Sequence, residues 1–329
     1  MKLTPGKLAG LNAVSNEQGV IAAAAMDQRG SLLKSLQTAR GASADGHDLE
    51  IFKSMVTDTL TQHASAILLD PEFGLPATHH RHGKGLLLAY EKTGYDAQTP
   101  GRLPDLLDNW SVLRLKEAGA DCIKILLYYT PFDPPAINDV KHAFIERIGA
   151  ECRAFDIPFF CEFVGYDAEG GKENTVEYAR KKPQVVAGSM KEFSNPKYAI
   201  DVLKVEVPII MEFVQGTQAY KGESAYTRAE ALQHFRDTAA DTTLPFIYLS
   251  AGVSNPVFIE TLQLAGESGV AFNGVLCGRA TWKDGIPIFA KHGEDAFTEW
   301  LNTTGVENIT NVNRALQAAT SWHSKVEKA

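Results

Sequence analysis

The chain has 329 residues, 44% of them hydrophobic and 22% charged, with a formal net charge of −8. That length suits one large α/β barrel or two smaller domains. The negative balance argues against a generic nucleic-acid binder without excluding small anions met by local cations. No apolar run reaches transmembrane length, so neither nucleic acid nor membrane is an expected partner and a cytoplasmic location is expected.

The N-terminal stretch MKLTPGKLAGLNAVSNEQG lacks the apolar centre of a signal peptide and reads as a short polar helix packed outside the fold. Apolar, β-rich runs then recur along the chain: 19–28, 64–73, 84–91, 120–129, 157–166, 200–208, 244–252 and 272–280. Several are continuous rather than alternating, as expected of parallel strands covered on both faces. Between them lie helical patterns. Leu49, Phe52, Val56 and Leu60 repeat at helical spacing over 47–63, and Ile137, Val140, Phe144, Ile148 and Cys152 do so over 136–155. Thr227 and Glu230 have capping-box spacing at the start of a helix over 227–240. Ser254-Asn255-Pro256 supplies a cap and an initial proline for a helix over 255–268, whose stripe is Phe258, Leu262 and Ala265. The THHRHG connection between the second and third runs is too short for a full helix.

Eight strands alternating with helices predict a single (β/α)8 TIM barrel over 1–329, with one extra N-terminal helix. A doubly wound open sheet would need a glycine-rich dinucleotide loop after its first strand, and MDQRGS lacks that spacing. The four cysteines (Cys122, Cys152, Cys161 and Cys277) form no CxxC pair and read as reduced, buried thiols.

In such a barrel chemistry sits at the C-terminal ends of the strands. Those ends offer Asp27, Gln28 and Arg29, then Asp70 and Glu72, Lys124, Glu162, Lys204 with Glu206, Ser250-Ala251-Gly252, and Cys277-Gly278-Arg279. Lys204, in the apolar run DVLKVEVP, is unusual because lysine is rarely buried unless paired or used. Alone it reads as a strand-end lysine that snorkels or pairs with Glu206. One register, however, points Lys124, Glu162 and Lys204 together into the barrel. Two lysines and a carboxylate there are hard to explain by packing. A desolvated amine beside a cation is a Schiff-base nucleophile, and a carboxylate between two amines can carry protons. The loops after the last two strands add Gly252, Gly278 and Arg279 at the places where barrels of this kind often hold phosphate. The cluster His79, His80 and His82 reads as a solvated loop rather than a metal site, because adjacent histidines have no fixed ligand geometry and no strand-end histidine completes them.

The stretches AMDQRG, LLDPEFGLPAT, GLLLAYEKTGYD, RLPDLLDNWS, FIERIG, DVLKVEVP, PFIYLSAGVS and FNGVLCGRATW together resemble the class I tagatose 1,6-bisphosphate aldolases of bacteria, over almost the whole length. The resemblance implies a metal-free enzyme that forms a covalent lysine Schiff base, cleaves D-tagatose 1,6-bisphosphate to dihydroxyacetone phosphate and D-glyceraldehyde 3-phosphate, and has no cofactor. It implies Lys204 as the Schiff-base lysine, Glu162 as the proton carrier and Lys124 as the second active-site lysine. It further implies that Asp27 and Gln28 contact substrate, that Ser250, Gly252, Gly278 and Arg279 hold one phosphate, and that Arg29 meets the other. A homodimer is the expected assembly. Tolerance at C3 and C4, another ketose phosphate as substrate, and a non-catalytic sugar-phosphate sensor remain alternatives. The polar segment 214–226 is expected to be able to close over the site.

Overall fold

The computed structural model describes residues 2–92 and 101–326, so the end of GLLLAYEKTGYD lies outside the described residues. Eight strands form a closed parallel barrel in sequence order: β1 (Ile21–Met26), β2 (Ala66–Leu69), β3 (Gly85–Ala89), β4 (Cys122–Tyr128), β5 (Phe159–Val164), β6 (Val202–Val205), β7 (Phe246–Leu249) and β8 (Gly274–Cys277). The helices are α1 (Pro5–Ala13), α2 (Gly30–Arg40), α3 (Gly46–Leu60), α4 (Val112–Glu117), α5 (Pro135–Ala154), α6 (Val176–Phe193), α7 (Arg228–Ala239), α8 (Asn255–Ser268), α9 (Arg279–Trp282), α10 (Ile286–Trp300) and α11 (Val306–Ala315). As expected, only a short 3-10 turn, Pro76–His80, joins β2 to β3. None of the described helices is long and apolar enough to cross a membrane.

Alternation along each strand divides the core in two. Ala24, Ile67, Leu88, Ile123, Cys161 and Leu203 face outward to the helices. Ala23, Ala25, Leu68, Leu87, Cys122, Phe160, Val202, Ile247 and Leu276 fill the interior. Fully burying each leucine, isoleucine, valine or phenylalanine among them stabilises the fold by roughly 1.5–3 kcal/mol. The stripes of α3 and α8 are buried as their spacing requires. The capping box of α7 forms through Thr227 and Glu230, whereas Ser254 begins α8 without a capping hydrogen bond from its side chain.

Two sequence expectations need correction. On α5 Val140 is exposed, and the buried face runs through Asn138, Lys141, Ile145, Ile148 and Cys152. The reason is a polar contact: Lys141 Nζ donates to Tyr166 Oη at 2.7 Å and meets Asp133 at 3.0 Å, which rotates a lysine inward and a valine outward. The N-terminal helix is more than an external appendage. Leu11 and Val14 join the interior cluster with Trp322 and close the barrel's N-terminal mouth. Lys7 Nζ pairs with Asp201 at 2.8 Å, and Gly6 N–H donates to Asp156 at 2.8 Å. A Cβ on Gly10 would sit 2.4 Å from the Asp121 carbonyl oxygen, so glycine permits this close seating.

Candidate active site

Barrel register brings the charged strand ends together. Lys124 pairs in register with Phe160, and Glu162 with Lys204, so the three charged residues share the inward face with Cys122, Phe160 and Val202. Glu162 Oε2 lies 2.8 Å from Lys124 Nζ and 2.9 Å from Lys204 Nζ. All three are buried: Lys124 is 0% exposed, Lys204 4% and Glu162 5%. Lys204 therefore does not snorkel. Glu206, its expected structural partner, instead pairs with Lys182 at 3.1 Å and accepts from Gly165 N–H at 2.7 Å.

Two more carboxylates complete the cluster. One step beyond Ala25, Asp27 meets Lys124 Nζ at 2.7 Å, and one step beyond Ala89, Glu91 does so at 2.7 Å. Glu91 escaped the sequence reading, although alternation from Leu87 and Ala89 could have found it. Burial favours a neutral amine at Lys124, yet Asp27, Glu162 and Glu91 outweigh it and hold the ammonium well above the ordinary lysine range. Burial likewise opposes ionisation of Asp27, but Lys124 and Lys204 keep its carboxyl below the usual carboxylate range. At Glu91 burial wins over Lys124 and Arg29, and the carboxyl is raised.

Other strand-end charges are consumed by structure. Asp70 is fully buried against Lys53, whose Nζ also donates to the Met26 carbonyl at 2.7 Å. Arg29 is 3% exposed; its guanidinium pairs with Glu72 at 2.5 Å and donates to the Glu91 carbonyl at 2.7 Å. Arg29 Nε has no hydrogen-bond partner among the described residues. His79, His80 and His82 are exposed, and His82 lies 3.0 Å from Asp58.

A cavity of ≈ 230 Å³ opens above the cluster, lined by Asp27, Gln28, Glu162, Lys204, Ser250, Gly252, Gly278 and Arg279 among others. A second, of ≈ 440 Å³, adjoins it through Asp27, Gln28, Leu126, Tyr128 and Arg279 and adds Arg29, Glu91 and Lys92. On the phosphate-loop side, Ala251 and Gly252 take φ of 48° and 78°, and Val253 N–H closes the turn on the Ser250 carbonyl at 3.1 Å. A Cβ on Gly252 would come within 2.8 Å of Arg279 Cζ, so glycine lets that guanidinium lie over the loop. Lys283 Nζ braces the loop from behind, donating to the Gly252 carbonyl at 2.8 Å. Segment 214–226 is folded on itself instead of over the cavity: Gln215 N–H donates to the Tyr226 carbonyl at 2.9 Å and Gln218 N–H to Glu260 at 3.0 Å.

The DeoC/LacD family aldolase pattern matches residues 21–284, which includes every strand and each charged residue of the cluster. The chain belongs to the DeoC/LacD family of aldolases. Among its relatives in that family are the tagatose 1,6-diphosphate aldolase of Listeria monocytogenes, 54% identical over 99% of this chain and 96% of the relative, and tagatose 1,6-diphosphate aldolase 2 of Enterococcus faecalis, 54% identical over 99% and 98%. The corresponding aldolase of Staphylococcus aureus is 51% identical over 97% and 98%. The fold is shared with the fructose-bisphosphate aldolase of Plasmodium falciparum, solved with TRAP and a small-molecule inhibitor. The TM-score is 0.70 over 100% of this chain and 98% of that one, at 13% identity, a likeness of fold alone.

Proposed function

We propose that the chain is a class I aldolase that cleaves D-tagatose 1,6-bisphosphate to dihydroxyacetone phosphate and D-glyceraldehyde 3-phosphate. The observation that carries this reading is one buried carboxylate oxygen held between two lysine nitrogens, Glu162 Oε2 at 2.8 Å from Lys124 and 2.9 Å from Lys204. The relatives, tagatose 1,6-diphosphate aldolases, suggest the substrate.

Lys204 is the nucleophile, because it alone of the two lysines borders the ≈ 230 Å³ cavity. Its neutral amine adds to the C2 carbonyl, and loss of water gives an iminium. Glu162 takes the proton from the C4 hydroxyl. The C3–C4 bond then breaks, its electrons pass into the C2–nitrogen system as an enamine, and glyceraldehyde 3-phosphate leaves. Protonation at C3 and hydrolysis release dihydroxyacetone phosphate and restore the Lys204 amine. The electron sink is the iminium itself, so the reaction requires no cofactor. Lys124, whose ammonium the surrounding carboxylates favour, holds Glu162 and Asp27 in place. Asp27 and Gln28 line both cavities and are assigned to substrate hydroxyls. Ser250, the Gly252 and Gly278 backbones and Arg279 are assigned to one phosphate, by charge-assisted hydrogen bonds. Arg29, on the second cavity with a free Nε, is assigned to the other. The same reading carries with it a cytoplasmic, single-domain chain that works as a homodimer.

Borohydride reduction in the presence of the ketose bisphosphate, followed by peptide mapping, tests the core of the proposal. The expected result is one modified residue, Lys204. Modification elsewhere, or none, refutes the reading.

A further inference from the structure

Lys124 sits among three carboxylates, and a charge count shows that one of them is surplus. Its ammonium donates three hydrogen bonds and lies within 2.8 Å of Asp27, Glu91 and Glu162. The neighbouring cations are engaged elsewhere: Arg29 with Glu72, Lys53 with Asp70, Lys92 with Asp105 and Asp108, and Arg279, on the same cavity, against the Gly252 loop. Lys124 therefore balances one anion, and the Lys204 nitrogen a second once it carries the iminium charge. On the aldolase reading the cluster holds at most two cations, and the second is present only while the Lys204 nitrogen is an iminium. The proton that Glu162 then takes from the C4 hydroxyl offsets the loss of that charge in the enamine. A third anion has no counterion at any stage, and an unpaired buried charge is strongly disfavoured.

Glu91 is the surplus group. It is the most enclosed of the three, 1% exposed against 5% for Glu162 and 8% for Asp27. Its Oε1 accepts from Lys124 at 2.7 Å. Its Oε2 is buried with no hydrogen-bond partner among the described residues, and the residue lines the ≈ 440 Å³ cavity. That cavity adjoins the one bordered by Lys204, so it receives the part of the substrate beyond the reacting carbonyl.

We propose that Glu91 is a further specificity-determining residue, a neutral carboxylic acid whose Oε1 accepts from Lys124 and whose Oε2–H donates to a hydroxyl oxygen on the aldehyde half of the sugar phosphate. The assignment rests on the aldolase reading and adds a donor that neither the motifs nor the family comparison assigns. The charged groups around Glu91 are Lys124 from β4, Asp27 and Arg29 from the end of β1, Lys92 beside it and Arg279 on the shared cavity; the carboxyl is raised by burial against the pull of Lys124 and Arg29.

Glutamine separates this from a carboxylate role, because it is the neutral isostere: its carbonyl can face Lys124 and its N–H the cavity. Cleavage of tagatose 1,6-bisphosphate by wild type, Glu91→Gln and Glu91→Ala gives the first readout. Alanine is expected to lower kcat/KM by about 10- to 100-fold, the loss of one buried donor, and glutamine to recover most of it. Infrared spectra of the unliganded proteins give a second readout that does not depend on turnover. The C=O stretch of a protonated carboxyl is expected in wild type and absent from Glu91→Gln. A glutamine variant no better than alanine, or a wild-type minus Glu91→Gln spectrum showing only a lost carboxylate band, overturns the assignment. Failure of wild type to be trapped by borohydride with dihydroxyacetone phosphate overturns the aldolase reading instead.

Discussion

At the N-terminal mouth of the barrel the inward positions are Ile21, Ala66, Cys122 and Val202, sealed from below by Leu11, Val14 and Trp322. Toward the C-terminal mouth of the same barrel, the inward positions become Asp27, Glu91, Lys124, Glu162 and Lys204. One face of one sheet thus carries an apolar plug at one end and a packed ionic cluster at the other. Apolar burial returns free energy wherever it occurs, so the plugged end can serve stability alone. Buried charges cost desolvation that Coulomb attraction offsets only with good geometry, so the open end carries groups that stability by itself does not call for. The two mouths separate the residues that hold the barrel closed from those proposed to react.

Variants at the two ends should respond in opposite ways. The largest effect is expected of Lys204→Ala, whose cleavage of the ketose bisphosphate falls to the detection limit while thermal unfolding still shows a folded barrel; measurable turnover there would break the contrast. Glu162→Gln keeps the shape but cannot accept the C4 proton, and should lower kcat by about 10²–10⁴-fold, the usual range for a lost general acid–base group. At the opposite mouth, Leu11→Ala leaves a cavity in the plug and should cost about 2–5 kcal/mol in denaturant unfolding, with kcat per folded molecule within about twofold of wild type. A large kcat loss would show that the plug also sets the geometry of the reacting end. The smallest effect concerns pH. Because Lys124 holds the Asp27 carboxyl below its ordinary range, Asp27 contributes stability that is fully present above about pH 4 and is lost as the pH falls below it. The stability difference between wild type and Asp27→Asn should therefore be flat near neutrality and shrink in acid, whereas Leu11→Ala should differ from wild type by an amount independent of pH.

Much of the fold was legible because its signals are local. Apolar runs, several of them continuous, marked all eight strands, and the Thr227–Glu230 spacing marked a helix start that forms as a capping box. Alternation on strands four to six was enough to put Lys124, Glu162 and Lys204 on one face. The misreadings came where a distant partner decided the outcome. Val140 looked like part of a buried stripe, but Asp133 and Tyr166 draw Lys141 inward in its place. The N-terminal segment looked polar, yet it delivers Leu11 and Val14 into the barrel. Glu206 looked like the natural partner of Lys204 and instead belongs to Lys182.

By itself, then, the sequence determined the strand count, the barrel class, the inward face of the central strands and the lysine that stands out in DVLKVEVP, since hydrophobic period and side-chain alternation are properties of adjacent residues. Only the tertiary structure decided which of the strand-end charges meet. Asp70, Glu72 and Glu206 are drawn into structural pairs, while Glu91 joins Asp27 and Glu162 around Lys124. The physical reason is the stagger of a closed barrel: Ala89 lies in register with Lys124, which puts Glu91 two residues beyond, on the same face and above the lysine. Such a meeting depends on how the sheet closes on itself.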